Sequence, residues 1–155
     1  MQSSFQPKDL IETLVRIEQN GLAFYTNMAE KYKDDKETSK FFSWLADQEK
    51  EHEKMYKSLA SSISDTNVIQ EQFDGEYDAY IQTLINQSFE FDSKYVSEDL
   101  KDAYKFSMGL EKDTILFIEE VSRIIPNYES ESLEYAKNEE RNHIKLINEW
   151  YQENK

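Results

Sequence analysis

Both histidines of this 155-residue chain stand three positions after a glutamate, in the stretches EKEH (49–52) and ERNH (140–143). Each pair lies in the middle of a run in which core-type residues recur at steps of three and four. The runs are Phe42, Leu45, Glu49, His52, Tyr56, Leu59 and Leu133, Ala136, Glu140, His143, Ile147, Trp150. Residues at these steps share one face of an α-helix. The spacing therefore predicts two helices that turn a glutamate and a histidine into an otherwise apolar core.

Two further runs have the same spacing, and each carries a single glutamate at mid-length. They are Ile11, Leu14, Glu18, Gly21, Tyr25, Met28, Tyr32 and Tyr104, Met108, Glu111, Ile115, Ile118. The chain has only 3 Gly and 2 Pro, so few positions interrupt a helix. The pattern predicts an all-α fold whose four long helices span about 7–32, 36–60, 98–124 and 129–152.

The connections predict how these helices are arranged. Short loops join the first helix to the second and the third to the fourth, so each pair should form an antiparallel hairpin. The long segment between the pairs should cross the bundle with a short helix, because its apolar residues again follow a helical spacing. They are Phe73, Tyr77, Tyr80, Ile81 and Leu84. Ser97 is the expected N-cap of the third long helix, with Glu98 and Asp99 in its first turn. We expect residues 1–155 to form a single domain.

The two halves of the chain repeat their polar core residues. Glu18, Glu49 and His52 in the first half correspond to Glu111, Glu140 and His143 in the second, at nearly equal separations. A single buried glutamate or histidine is more often a hydrogen-bonded structural residue. Four carboxylates at one depth, however, repel one another and lose their hydration. Since no lysine or arginine lies on these faces, the repeat predicts a site for two divalent cations.

Tyrosines and glutamates close to the six core residues along the helices have simpler interpretations than metal binding. The aromatic residues that share these helix faces should fill the core, with hydrogen bonds from Tyr25 and Tyr56 to the carboxylates as the alternative for those two. Glu51 and Glu53 are expected to be solvated.

Composition excludes several classes of function. The 32 acidic and 18 basic residues give a formal charge of −14, which disfavours nucleic acid and anionic membranes as partners. Without cysteine there is no disulfide framework and no thiolate metal site. The chain shows neither a secretory signal nor a membrane-spanning stretch, so a cytoplasmic location is expected.

The four helical segments resemble the rubrerythrin branch of the ferritin-like di-iron carboxylate proteins. The resemblance is carried by IEQNGLAFYTNMAE, FFSWLADQEKEHEKMYKSL, LEKDTILFIEEV and NEERNHIKLI. It implies a ferritin-like antiparallel four-helix bundle that holds two iron ions, with manganese as the alternative. The implied ligands are Glu18 and His52 for one metal, Glu111 and His143 for the other, and Glu49 and Glu140 as bridges.

The chain departs from the rubrerythrin pattern in two ways. Rubrerythrins proper carry a cysteine-ligated rubredoxin-type domain that supplies electrons, and a chain without cysteine needs an external donor such as a rubredoxin-like protein. Rubrerythrins also typically have a further glutamate three residues after the ligand of the third core helix, where this chain has Thr114. We therefore expect slower peroxide reduction than in rubrerythrins.

The resemblance implies an oxidoreductase that reduces hydrogen peroxide, or dioxygen, at the metals. Two other functions stay open at this point: an iron-handling protein without rapid turnover, and a helical module that metals merely stabilise. The oligomeric state is also open, with a homodimer as one alternative.

Overall fold

A computed structural model of the chain describes residues 4–63 and 75–155. The helices are α1 (Pro7–Lys31), α2 (Lys36–Ser62), α3 (Gly75–Gln87), α4 (Leu100–Ile124) and α5 (Ser130–Asn154). The described residues contain no strand, which confirms the predicted all-α class, and each long helix begins and ends within two residues of its predicted bounds. Among the described helices, none has the length and apolar character needed to cross a membrane.

Each pair of long helices packs as an antiparallel hairpin. The ring of Tyr25, late in α1, stacks on Phe42, early in α2, with centroids 6.3 Å apart. Tyr104, early in α4, stacks on Tyr151, late in α5, at 4.2 Å. The two hairpins meet where Phe41 of α2 stacks on Trp150 of α5 at 4.6 Å. These contacts agree with the predicted ferritin-like bundle.

The segment that connects the two hairpins, here called the crossover, is hydrogen-bonded along α1. Its contacts, in order, are Arg16 with Ser88, Asn20 with Ser88, Asn27 with Ser93, and Lys31 with Ser97. Because both partners advance together, the crossover runs parallel to α1 and delivers the chain to the start of α4. The predicted short helix is present as α3, whose Ile81 and Ile85 are buried against the bundle. Phe73, which the sequence also assigned to this helix, lies outside the described residues.

The predicted N-cap of α4 is wrong. Asp99 occupies the cap, and its carboxylate accepts a hydrogen bond from the backbone N–H of Asp102 at 2.8 Å. Ser97 is instead buried in the crossover, where its N–H donates to Sδ of Met28 at 3.4 Å and its carbonyl accepts from Lys31. These contacts hold Ser97 against α1, so the helix starts two residues later than predicted.

The core consists of two apolar clusters separated by a polar level. One cluster contains the start of α1, the end of α2 and the ends of α4 and α5 that pack beside them, including Leu14, Tyr56 and Ile118. The other contains the opposite end of the bundle, including Tyr25 and Phe42. The predicted site residues lie between the two clusters, in the middle of the long helices.

Candidate metal centre

All six predicted site residues are brought together in the interior. Glu18 comes from α1, Glu49 and His52 from α2, Glu111 from α4, and Glu140 and His143 from α5. Each is at most 4% exposed to solvent. They form two groups within which one ligand-type atom per residue lies within 4.8 Å of the others. The groups are Glu18, His52, Glu140 and Glu49, Glu111, Glu140, His143.

Glu140 is the residue that both groups share. Its Oε1 lies 2.8 Å from Nδ1 of His52, and its Oε2 lies 3.5 Å from Nδ1 of His143. The remaining carboxylates repeat the arrangement on either side. Oε2 of Glu18 is 3.7 Å from Nδ1 of His52, and Oε2 of Glu111 is 3.6 Å from Nδ1 of His143. The position of Glu140 suits a bridge between two cations.

Glu49 is placed less symmetrically than its counterpart. It belongs only to the group that contains His143, so its bridging role stays a prediction. Its carboxylate lies against the backbone of α1 at Gly21. A Cβ atom added at Gly21 would lie 3.0 Å from Cδ of Glu49 and 3.1 Å from its Oε2. Because Gly21 has no side chain, α1 leaves room there for the carboxylate of Glu49.

The atoms that face the centre have no hydrogen-bond partners among the described residues. They are both carboxylate oxygens of Glu18 and of Glu140, Oε2 of Glu111, and Nδ1 of His52 and of His143. Nδ1 of His52 approaches Glu140 closely but without the alignment of a hydrogen bond. Leaving a buried polar atom unpaired costs about 1–3 kcal/mol. Oxygen and imidazole donors converging on one space fit divalent cations, which would satisfy all of these atoms at once.

The outer nitrogens of the two imidazoles are held by residues that the sequence analysis missed. Nε2 of His52 lies 2.9 Å from Oε1 of Glu139, and Nε2 of His143 lies 3.3 Å from Oε1 of Gln48. An imidazole that donates through Nε2 keeps Nδ1 free to bind a metal. The one available signal was position, because Gln48 and Glu139 each precede a core glutamate and so occupy equivalent places in the repeat.

The two tyrosines have different outcomes. Tyr25 fills the core and also meets the alternative expectation, since its hydroxyl donates to Oε1 of Glu111 at 2.8 Å and leaves Oε2 facing the centre. Tyr56 is fully buried, but its hydroxyl has no partner among the described residues.

Glu51 is exposed as expected. The expectation for Glu53 is wrong, because its side chain is only 15% exposed and pairs with Lys57 at 2.6 Å.

The hydroxyl of Thr114 is hydrogen-bonded to the backbone of its own helix. The residue is buried one turn after Glu111, and its hydroxyl donates to the carbonyl of Leu110 at 2.9 Å. This bond to the preceding turn is the usual choice of a threonine inside a helix. Thr114 thus adds neither a negative charge nor a free oxygen to the cluster.

Without metals, the cluster is neutralised by protons. Burial, followed by the charge of Glu140, raises the pKa of Glu18 to about 8 and raises the pKa of Glu111 well above its usual range. Burial lowers the pKa of each histidine, but close carboxylates outweigh it and raise the pKa of His52 to about 12 and that of His143 to about 9. Burial also opposes ionisation of Glu140, yet its contacts with Glu111 and the histidines lower its pKa. Glu140 therefore keeps the central negative charge.

Comparison with known proteins gives one match. The family model described as Rubrerythrin matches residues 9–151, a range that includes all six clustered residues. No curated protein and no solved structure matches the chain significantly.

Gly21→Ala should weaken metal binding on the order of 10-fold, because the added methyl group would push Glu49 out of position. Gly109→Ala is the matched control, since a Cβ there meets nothing within 4 Å and should only favour the helix by about 0.5–1 kcal/mol. Calorimetric titration of both metal-free variants with Mn²⁺ measures the difference. Equal affinities would show that metal binding does not depend on the present position of the Glu49 carboxylate.

Metal uptake should release protons, and affinity should rise with pH. Near neutral pH the metal-free site holds protons on His52, Glu18, Glu111 and His143, whose pKa values are all raised. Metals bind the deprotonated forms, so uptake expels these protons and becomes easier as pH rises through about 8 and about 9, where Glu18 and His143 titrate. Titration in buffers of different ionisation enthalpy counts the protons. Affinity independent of pH would contradict this picture.

Proposed function

The chain belongs to the rubrerythrin family, and on that premise we propose that it is a di-iron redox protein that reduces hydrogen peroxide with electrons from an external donor. The observation that carries the proposal is a set of buried oxygens and nitrogens that converge on one space between two apolar clusters and have no hydrogen-bond partner within residues 4–63 and 75–155. A purely structural polar layer would pair its donors with its acceptors. In this layer, by contrast, most of the inward-facing oxygens and nitrogens are unpaired among the residues that the structure describes.

The proposed ligand set follows the two halves of the cluster. Glu18 and His52 would hold one iron, Glu111 and His143 the other, with Glu140 bridging; the geometry of each half supports this division. Glu49 is proposed as the second bridge. One imidazole per metal among carboxylates suits iron first and manganese second.

The chain's own residues prepare the site for this chemistry. Bound iron in its reduced state would supply the two electrons that split the O–O bond of hydrogen peroxide and, with two protons, yield two waters. The apolar clusters on both sides keep bulk water away from the polar level. Glu139 and Gln48 fix the direction of the imidazoles, and Tyr25 fixes Glu111.

Electrons must come from outside these 155 residues. The chain contains no cysteine and so offers no thiolate-bound iron of its own. We propose a rubredoxin-like protein of the cytoplasm as the donor. Dioxygen is the second candidate oxidant, because it too accepts electrons at a pair of reduced metals.

The test is stopped-flow oxidation of the anaerobically iron-loaded, reduced protein. Peroxide should oxidise it rapidly, dioxygen more slowly, and a reduced rubredoxin should then restore the starting state. His143→Ala, which removes one metal's only nitrogen ligand, should bind less iron than the wild type. Slow oxidation accompanied by iron release would favour an iron-handling role. Metal-dependent melting without any oxidation would favour a structural role.

Thr114→Glu should accelerate single-turnover oxidation by peroxide about 10-fold, equivalent to about 1.4 kcal/mol of activation free energy. A carboxylate one turn after Glu111 would stabilise the more oxidised ion, whereas the present hydroxyl is bonded to Leu110. Thr114→Gln is the matched control, because it has the same length without the charge. Equal or slower oxidation in a folded, fully loaded Thr114→Glu protein would show that Thr114 is not limiting.

A further inference from the structure

Tyr56 presents a buried hydroxyl to which no residue in the described part of the chain is hydrogen-bonded. The residue lies one turn after His52 on the same face of α2 and is fully buried. Its ring packs in the apolar cluster that closes one side of the polar level. The hydroxyl has no hydrogen-bond partner among the described residues. Because burial strips such a group of water, an unpaired hydroxyl at this place needs a partner from elsewhere.

Side chains of an α-helix lean toward its N-terminus, so Tyr56, one turn after His52, lies beside the candidate metal centre. Among the charged groups that act on it, the carboxylate of Glu18 is the strongest and that of Glu140 the next. Burial first, and then these charges, raise its pKa well above the usual value. Tyr56 is therefore a neutral O–H donor on the side of the cluster that contains Glu18 and His52.

The two halves of the cluster differ in the hydroxyl groups that lie beside them as hydrogen-bond donors. Tyr25 has already committed its hydroxyl to Glu111, in the half that contains His143. The position equivalent to Tyr56 in α5, four residues after His143, is Ile147, which has no hydroxyl. A free donor is thus found beside one half of the cluster and has no counterpart at the equivalent position.

The other unpaired atoms of the cluster do not offer Tyr56 a lasting partner. They are carboxylate oxygens and imidazole nitrogens, and the proposed metals would take them. The hydroxyl of Ser107 in α4 is also unpaired among the described residues, and it makes no hydrogen bond to Tyr56. Once the metals are bound, no acceptor for Tyr56 remains among the unpaired atoms of the described residues, so its natural acceptor is a ligand added from outside the chain.

We propose that the hydroxyl of Tyr56 donates a hydrogen bond to the small oxygen ligand, water or peroxide, that binds at the Glu18–His52 half of the site. This inference rests on the proposed function, and it adds where the exogenous ligand binds and what recognises it. It also defines the ligand class: small oxygen or nitrogen species with a lone pair that can accept a hydrogen bond while bound to a metal.

Azide is a suitable probe, because it is a small anion that binds iron and accepts hydrogen bonds. In the iron-loaded, oxidised protein, Tyr56→Phe should weaken azide binding about 10-fold, because the bound azide loses one hydrogen bond. The azide-to-iron absorption band measures this affinity. Tyr128→Phe is the matched control, since it removes a buried hydroxyl of the same apolar cluster that donates to the carbonyl of Leu59 and is not part of the candidate metal centre. Azide affinity per loaded site should change little in that variant.

Melting of the metal-free proteins provides a second readout. Tyr56→Phe removes an unpaired buried hydroxyl and should raise Tm, whereas Tyr25→Phe removes a made hydrogen bond and should lower it. Opposite signs support the inference independently of turnover.

The outcomes separate this inference from the proposed function. Unchanged azide affinity in Tyr56→Phe, in a protein that still loads iron and reacts with peroxide, would overturn the role of Tyr56 alone. A tyrosinate-to-iron absorption band that disappears in Tyr56→Phe would also overturn it, because the residue would then be a ligand. A wild-type protein that takes up no iron would overturn both.

Discussion

The fold is organised around one costly feature, a layer of four carboxylates and two imidazoles in the middle of an apolar bundle. Their mutual repulsion and lost hydration must be offset by positive charge. In the metal-free protein protons provide it, as the raised pKa values of Glu18, Glu111 and both histidines show. Divalent cations would provide it more completely, since they would also occupy the unpaired inward atoms.

The scaffold around this layer is adapted to hold it. Gly21 lets α1 approach Glu49, and apolar clusters above and below exclude solvent. Contacts between hairpins set the direction of the side chains, because each imidazole is held by a residue of the opposite hairpin. The crossover, bonded along α1, fixes the second hairpin relative to the first.

The sequence predicted most of the helices and the convergence of the six polar residues, because both follow from a single period of 3.6 residues. It misplaced the cap of α4, since Ser97 and Asp99 are both good N-caps and tertiary contacts to α1 decided between them. Glu139 and Gln48 were missed for a related reason. Their contacts join the two hairpins. The spacing of residues along one helix does not show how that helix is rotated relative to its neighbour.

The partners of the two imidazoles differ in charge, although they occupy equivalent places in the repeat. His52 has the carboxylate of Glu139 at its outer nitrogen, while His143 has the neutral amide of Gln48. A carboxylate makes an imidazole a more basic, more electron-donating ligand. Under the proposed function, two iron ions in this site would therefore have different reduction potentials, lower beside His52 and higher beside His143. A donor that delivers electrons one at a time would fill the His143 side first, so the near-symmetric bundle would accept its electrons in a fixed order.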